Sequence, residues 1–106
     1  MIAVTVKEDT LNSELEDCFG KAKYFCLFDE NTTVSEFYLN PGYDSKSGSG
    51  SKAVKFLLSK GVCTIVSRNI GIKAKRILDE KKIQIVIAPL KYRLLSQMTV
   101  LFKGPG

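Results

Sequence analysis

Short runs of branched and aromatic residues alternate with polar stretches along this chain, and the spacing inside each run predicts its type. IAVTV, residues 2–6, is apolar and β-branched and predicts a buried strand. The polar stretch at 7–17 predicts a loop and one helical turn. YFCLF, 24–28, is apolar at every position, which predicts a strand covered on both faces. DENTT at 29–33 is a turn cluster. TVSEFYL at 33–39 is a weaker strand, in which Val34, Glu36 and Tyr38 alternate with Ser35, Phe37 and Leu39. The two runs together predict a hairpin.

The glycine- and serine-rich stretch that follows predicts a flexible loop over residues 41–51. From 51 to 61, Ala53, Val54, Phe56, Leu57 and Leu58 have helical spacing, and Gly61 suits the C-cap. VCTIV at 62–66 predicts another strand, IKAKRILDEKK at 72–82 an amphipathic helix, and IQIVIA at 83–88 a strand. After Pro89, residues 90–102 predict a closing helix. The order is β-β-β-α-β-α-β-α. Strand–helix crossovers in the second half require parallel neighbours, and the hairpin in the first half makes one strand antiparallel. The expected fold is a single α/β domain over residues 1–106, with a mixed five-stranded sheet and helices on its faces.

Composition narrows the chemistry. Histidine is absent, which removes the usual metal ligand and the usual general base. No Ser/His/Asp or Cys/His catalytic set can therefore be built. The net charge of +5 would favour anionic partners. The lysines are spread along the chain, so they read as a solvated surface and not as a nucleic-acid footprint. The residues after Met1 lack the pattern of a secretory signal, and no apolar run reaches a membrane-spanning length. An odd count of 3 cysteines without regular spacing argues for free thiols in a reducing cytoplasm.

In open α/β sheets, ligands bind beyond the carboxyl ends of parallel strands, where strand order reverses. That crevice is expected between the first strand and the strand at 62–66. Three segments could reach it: the loop from Lys7 onward, SGSGSK at 47–52, and SRNIG at 67–71. Two of these end at helix N-termini, whose free N–H groups favour anions. Ser51 and Asn69 suit N-cap positions, Gly71 suits a turn, and Arg68 is placed to grip an anion. SGSGSK lacks the spacing of a nucleotide-binding P-loop.

Cys26 sits mid-strand among aromatic and aliphatic residues, and Cys63 lies in VCTIV; both are expected in the core as small hydrophobes. At about 3.3 Å per strand residue, Cys26 would lie roughly 10 Å from the FGKA turn. The chain has no CxxC pair to close a metal site. Cys18 stands apart, in a loop or helix end beside Phe19-Gly20, where acids disfavour its thiolate and Lys21 and Lys23 favour it.

IAVTV, CFGKAKYF at 18–25, Asn40-Pro41, GVCTIVSRNIGIKA at 61–74 and KKIQIVIA at 81–88 together resemble the dinitrogenase iron–molybdenum cofactor biosynthesis family, over about residues 2–98. The resemblance implies a ribonuclease H-like, three-layer α/β/α fold. It also implies a non-enzymatic carrier, related to nitrogen fixation, that holds iron–molybdenum cofactor or an iron–sulfur cluster among cofactor-assembly partners. Where the family has a histidine before Phe-Gly, this chain has Cys18, and a thiolate is also a soft ligand for iron. Cys18 is thus the expected metal ligand. Ser49, Gly50, Ser51, Arg68, Asn69, Gly71 and Lys73 would complete the cofactor site, with Arg68 and Lys73 as charge partners of an anionic cluster. The alternative is a metal-free regulatory or protein-interaction domain that takes a small anion or a protein partner in the same crevice. A ribonuclease H-like nuclease would need acids clustered at the sheet centre, and the strands IAVTV, YFCLF and VCTIV carry none.

Overall fold

A computed structural model describes residues 1–29, 31–32, 34–43 and 49–102, the side chains of Ser49 and residues 99–102 excepted. Of the expected loop over 41–51, residues 44–48 lie outside the described residues and 49–51 belong to α1. The elements are β1 (Ile2–Val6), β2 (Tyr24–Phe28), β3 (Ser35–Leu39), α1 (Ser49–Ser59), β4 (Thr64–Ser67), α2 (Ile72–Glu80), β5 (Gln84–Ile87) and α3 (Leu95–Phe102). A single 3₁₀ turn at Phe19–Lys21 stands between β1 and β2. The strands form one sheet in the order β3-β2-β1-β4-β5. β1 pairs antiparallel with β2 and parallel with β4; β2–β3 is antiparallel and β4–β5 parallel.

Alternation along the strands sorts the core into two halves. Ala3, Phe25, Leu27 and Ile65 point to one face, where Val54 and Leu57 of α1 and Ala74 and Leu78 of α2 cover them. Ile2, Val4, Val6, Cys26 and Val66 point to the other, under Leu95 and Met98 of α3. Apolar residues at every position of β2, and at every position of β1 but Thr5, follow from this, because both faces are buried. Each large side chain fully buried here contributes about 1.5–3 kcal/mol.

Both crossover helices end in the same way. Gly61, at φ 78°, follows α1; its N–H reaches Leu58 O at 3.1 Å, and Val62 N–H reaches Leu57 O at 3.1 Å. After α2, Lys82 takes φ 59°, its N–H bonds Asp79 O at 3.1 Å and Ile83 N–H bonds Leu78 O at 2.9 Å. These are paired Schellman bonds, with Val62 and Ile83 returning into the core beside Leu57 and Leu78. Gly61 thus fills the terminating role expected for it. Lys82 fills the same role without glycine's freedom at positive φ.

Several expectations need correction. Ser51 is not an N-cap: α1 begins at Ser49, so Ser51 lies inside its first turn. Nor is Asn69, since α2 starts after Gly71, which has no capping side chain. The closing helix begins at Leu95, later than the apolar pattern suggested. Residues 93–94 are held extended by the loop after β1: Leu15 N–H donates to Arg93 O at 2.9 Å, and Glu14 bridges to Leu94. Gln97 Oε1 then accepts from the N–H groups of Arg93 and Leu94 at 2.8 and 2.9 Å, which caps the helix.

Cys63 is the third correction. It is exposed and not in the core, because β4 starts one residue later. Its Sγ lies 3.7 Å from the Met1 amine and 3.6 Å from Met1 O, at the amino end of the parallel strands.

Cys26 is buried as expected, 1% exposed, and burial pushes its thiol up from 9.0 to about 11. The neutral thiol is the form the fold favours. Its contribution to stability is therefore complete below pH 9 and lost as pH rises through about 11. Melting curves across that interval should fall more steeply for wild type than for Cys26→Ala. Equal slopes would remove Cys26 from the alkaline transition.

Candidate functional site

The crevice lies where the topology puts it, at the carboxyl ends of β1 and β4. Two hydroxyls tie those ends together: Thr5 Oγ1 lies 3.0 Å from Ser67 Oγ and 3.1 Å from the Glu16 carbonyl. The second tie brings the chain after β1 back over the sheet. It does so in two stages. Residues 11–15 run along the start of α3, where Leu11 and Ser13 carbonyls accept from Ser96 and Leu95. Only the later stage, from Cys18, reaches the crevice; the part near Lys7 does not.

Cys18 makes a parallel bridge to Asn69, and Phe19 N–H donates to Asn69 O at 3.0 Å. The Phe19 ring is fully buried, 5.7 Å from that of Phe25, and anchors the 3₁₀ turn. Asn40 secures the other side. Its amide donates to Ala22 O at 2.9 Å and accepts from Gly42 N–H at 2.9 Å, while its own N–H reaches Lys23 O at 2.8 Å. Asn40 is thus a buried clamp that fixes the exit from β3 beside the FGKA turn.

The result is a cleft of about 700 Å³. One wall is Cys18, Phe19, Gly20 and Lys21. The opposite wall is the first turns of two helices: Gly50 and Ser51 of α1, and Gly71 to Ala74 with Ile77 of α2, reached through Asn69. The helices meet closely, for a Cβ at Gly50 would stand 3.2 Å from Ala74 Cβ. Only a hydrogen fits there without displacement, so glycine sets how near the two N-termini stand.

The electrostatics have one sign. Lys21 and Lys73 line the cleft, and among the described residues no carboxylate does. Of the acids next to Cys18 in sequence, Asp17 is turned to Arg68 Nη1 at 3.4 Å, while the Glu16 carboxylate stays beside Cys18 and accepts from its N–H at 3.3 Å. Peptide N–H groups at the start of α2 lack a side-chain cap. The lysines and the uncapped N-terminus of α2 together make a place for an anion. Cys18 is half-buried and supplies its single soft donor.

Of the residues expected in the site, Cys18, Gly50, Ser51, Asn69, Gly71 and Lys73 share this cleft. Ser49 opens α1, but its side chain lies outside the described residues. Arg68 is turned away. Its guanidinium pairs with Asp17 and donates to the Tyr92 carbonyl, and its Nε has no acceptor among the described residues. Arg68 thus braces α3's approach and does not line the cleft. Lys21, Ile72 and Ile77 line it without having been expected there. A smaller hollow of about 270 Å³ lies between Lys60 and β3; Asp29 and Glu36 line it, and no cysteine does.

Comparison with known proteins fixes the family at this point. The description of the dinitrogenase iron–molybdenum cofactor family matches residues 1–100. The chain belongs to that family. Among solved structures, it is similar to the apo form of the orange protein from Desulfovibrio gigas, with a TM-score of 0.85 and 24% identity, covering 95% of this chain and 84% of that one. It is also similar to a candidate NifB protein from Thermotoga, with a TM-score of 0.78 and 26% identity, covering 93% and 82%. No curated protein matches the chain. Within the family fold, the cleft is lined by residues from two of the segments that carry the sequence resemblance, 18–25 and 61–74. Among the described residues no helix is long and apolar enough to cross a membrane.

Proposed function

We propose that this family member is a non-enzymatic carrier that holds an anionic metallocluster, of iron–molybdenum or iron–sulfur type, during cofactor assembly. The observation that carries the reading is a thiol in a cleft between two helix N-termini, lined among the described residues by two lysines and no carboxylate. Thiolates are soft ligands suited to iron and sulfide clusters. The lysines and N–H groups offset the cluster's charge, and Phe19, Ala74 and Ile77 give it a partly apolar wall. The family membership supports the same class of cargo. The order β3-β2-β1-β4-β5 with an antiparallel β2 supports a ribonuclease H-like lineage for the fold. A nuclease reading lacks support, since β1, β2 and β4 carry no carboxylate to hold a divalent cation.

The test is anaerobic. Protein purified without oxygen and incubated with ferrous iron and sulfide should gain visible charge-transfer absorption and keep its metal through desalting. No colour and no retained metal, together with a rise in melting temperature on adding phosphate, would replace the carrier with a metal-free anion-binding domain.

A further inference from the structure

The two edges of the sheet differ in chemistry. β3 forms one edge and carries the exposed Glu36. β5 forms the other, and IQIVIAPL at 83–90 has no charged residue in it or directly beside it. Edge strands are ordinarily guarded by a charge, a proline or a bulge. β5 has none of these, and its register against β4 is regular from Gln84 to Ile87.

The ladder fixes which backbone groups face outward. Gln84 N–H donates to Cys63 O at 2.9 Å and Ala88 N–H to Ser67 O at 3.0 Å, both toward β4. Peptide groups alternate sides along a strand, so the N–H and C=O of Ile85 and Ile87 point to the open edge. Among the described residues these groups have no partner. The side chains around them are apolar and bare. Ile85 packs toward α1 and α2 and Ala88 toward α3, so Ile87 belongs to the first face and Val86 to the second. Val86 is 37% exposed, Ile87 57% and Leu90 85%.

Charge decides what kind of strand fits. Lys81 and Lys82 precede β5, Lys91 and Arg93 follow it, and all four are exposed. Asp79 and Glu80 stand near the first pair but line a shallow hollow on α2 with Lys75 and Arg76. Among the described residues none of the four cations pairs with a carboxylate. An antiparallel second copy would set the cations of one edge against those of the other, which is unfavourable. A strand with carboxylates at its ends meets the opposite sign.

We propose that the β5 edge takes an extended acidic segment of a partner protein as a sixth strand. Its main chain pairs with Ile85 and Ile87, its uncharged middle covers Val86 and Ile87, and its terminal carboxylates meet the flanking cations. Main-chain pairing supplies affinity, and the side chains supply selection. None of these residues lines the cleft, so docking does not depend on what the cleft holds.

The probe is a labelled peptide of about ten residues, alternating valine and threonine with aspartates at both ends, titrated into the whole chain and read by fluorescence anisotropy. Binding should saturate, and lysines in place of the aspartates should weaken it roughly tenfold or more. Ile87→Pro removes one outward N–H without touching the ladder to β4 and should weaken binding by a similar factor, whereas Ile87→Val should not. Lys91→Glu combined with Arg93→Glu, both on exposed side chains, should shift the preference toward the lysine-ended peptide; this pair keeps the test decisive if Ile87→Pro does not fold. No saturable binding of the aspartate-ended peptide at millimolar concentration, or equal binding of its backbone N-methylated form, would overturn strand addition. Double mass of the unliganded chain in sedimentation, lost in Ile87→Pro, would overturn the partner and give the edge to a second copy.

Discussion

Cys18→Ser is expected to lower anaerobic iron retention by roughly tenfold or more, equivalent to about 1.4 kcal/mol or more of binding. The reason is the donor set. Among the described residues no other cysteine, and no aspartate or glutamate, lines the cleft. Serine keeps the shape of the side chain but replaces a soft thiolate by a hard hydroxyl that stays protonated near neutral pH. The fold should tolerate the change, since Cys18 is only half-buried and the 3₁₀ turn is anchored by Phe19.

The exposed position of Cys63 dictates how that measurement must be made. A thiol beside the Met1 amine can pick up iron on its own account. The comparison therefore belongs in a Cys63→Ser background, where retained iron reports the cleft. Cys63→Ser alone should leave the cleft-bound fraction unchanged, because the two sulfurs sit at opposite ends of β4. Equal iron in the double variant and in Cys63→Ser would refute Cys18 as the ligand.

The position of the cleft was readable from the sequence because it depends on topology. A hairpin followed by two strand–helix crossovers leaves few ways to order five strands, and the reversal beside β1 marks the crevice. Cys26 was equally readable, since every residue of its strand is apolar. Cys63 was not. A buried run does not say at which residue pairing begins, and a start at Thr64 leaves the preceding thiol in solvent. Arg68 failed for a different reason. Its partners, Asp17 and the Tyr92 carbonyl, are 51 and 24 residues away, a distance no local pattern spans. Lys21 could have been found: it lies inside FGKAKYF, next to the one residue already chosen as a ligand. Ile72 and Ile77 were hidden by their periodicity, which reads as an ordinary core-facing stripe.

Phe19→Ala is expected to carry the largest cost in stability and to disturb the cleft with it. The ring is fully buried against Phe25, in the half of the core covered by α1 and α2. Truncating a buried phenylalanine costs about 3–5 kcal/mol, from lost transfer energy and the cavity left behind. A domain of this size holds only about 5–15 kcal/mol in total, so roughly a fifth of it or more would go. The melting temperature should fall by roughly 12 °C or more. The effect is not confined to the core, because the same residue carries the turn on which Cys18 and Lys21 stand. Its N–H bond to Asn69 is a backbone contact and survives the substitution, but the ring that presses the turn onto the sheet does not. Cys18 should therefore react faster with a soluble disulfide reagent in Phe19→Ala than in wild type, at temperatures where both are folded. Phe19→Leu, which keeps most of the volume, should recover most of the stability and the slower reaction. A variant with lowered melting temperature and unchanged Cys18 reactivity would separate the two roles and leave Phe19 as core alone.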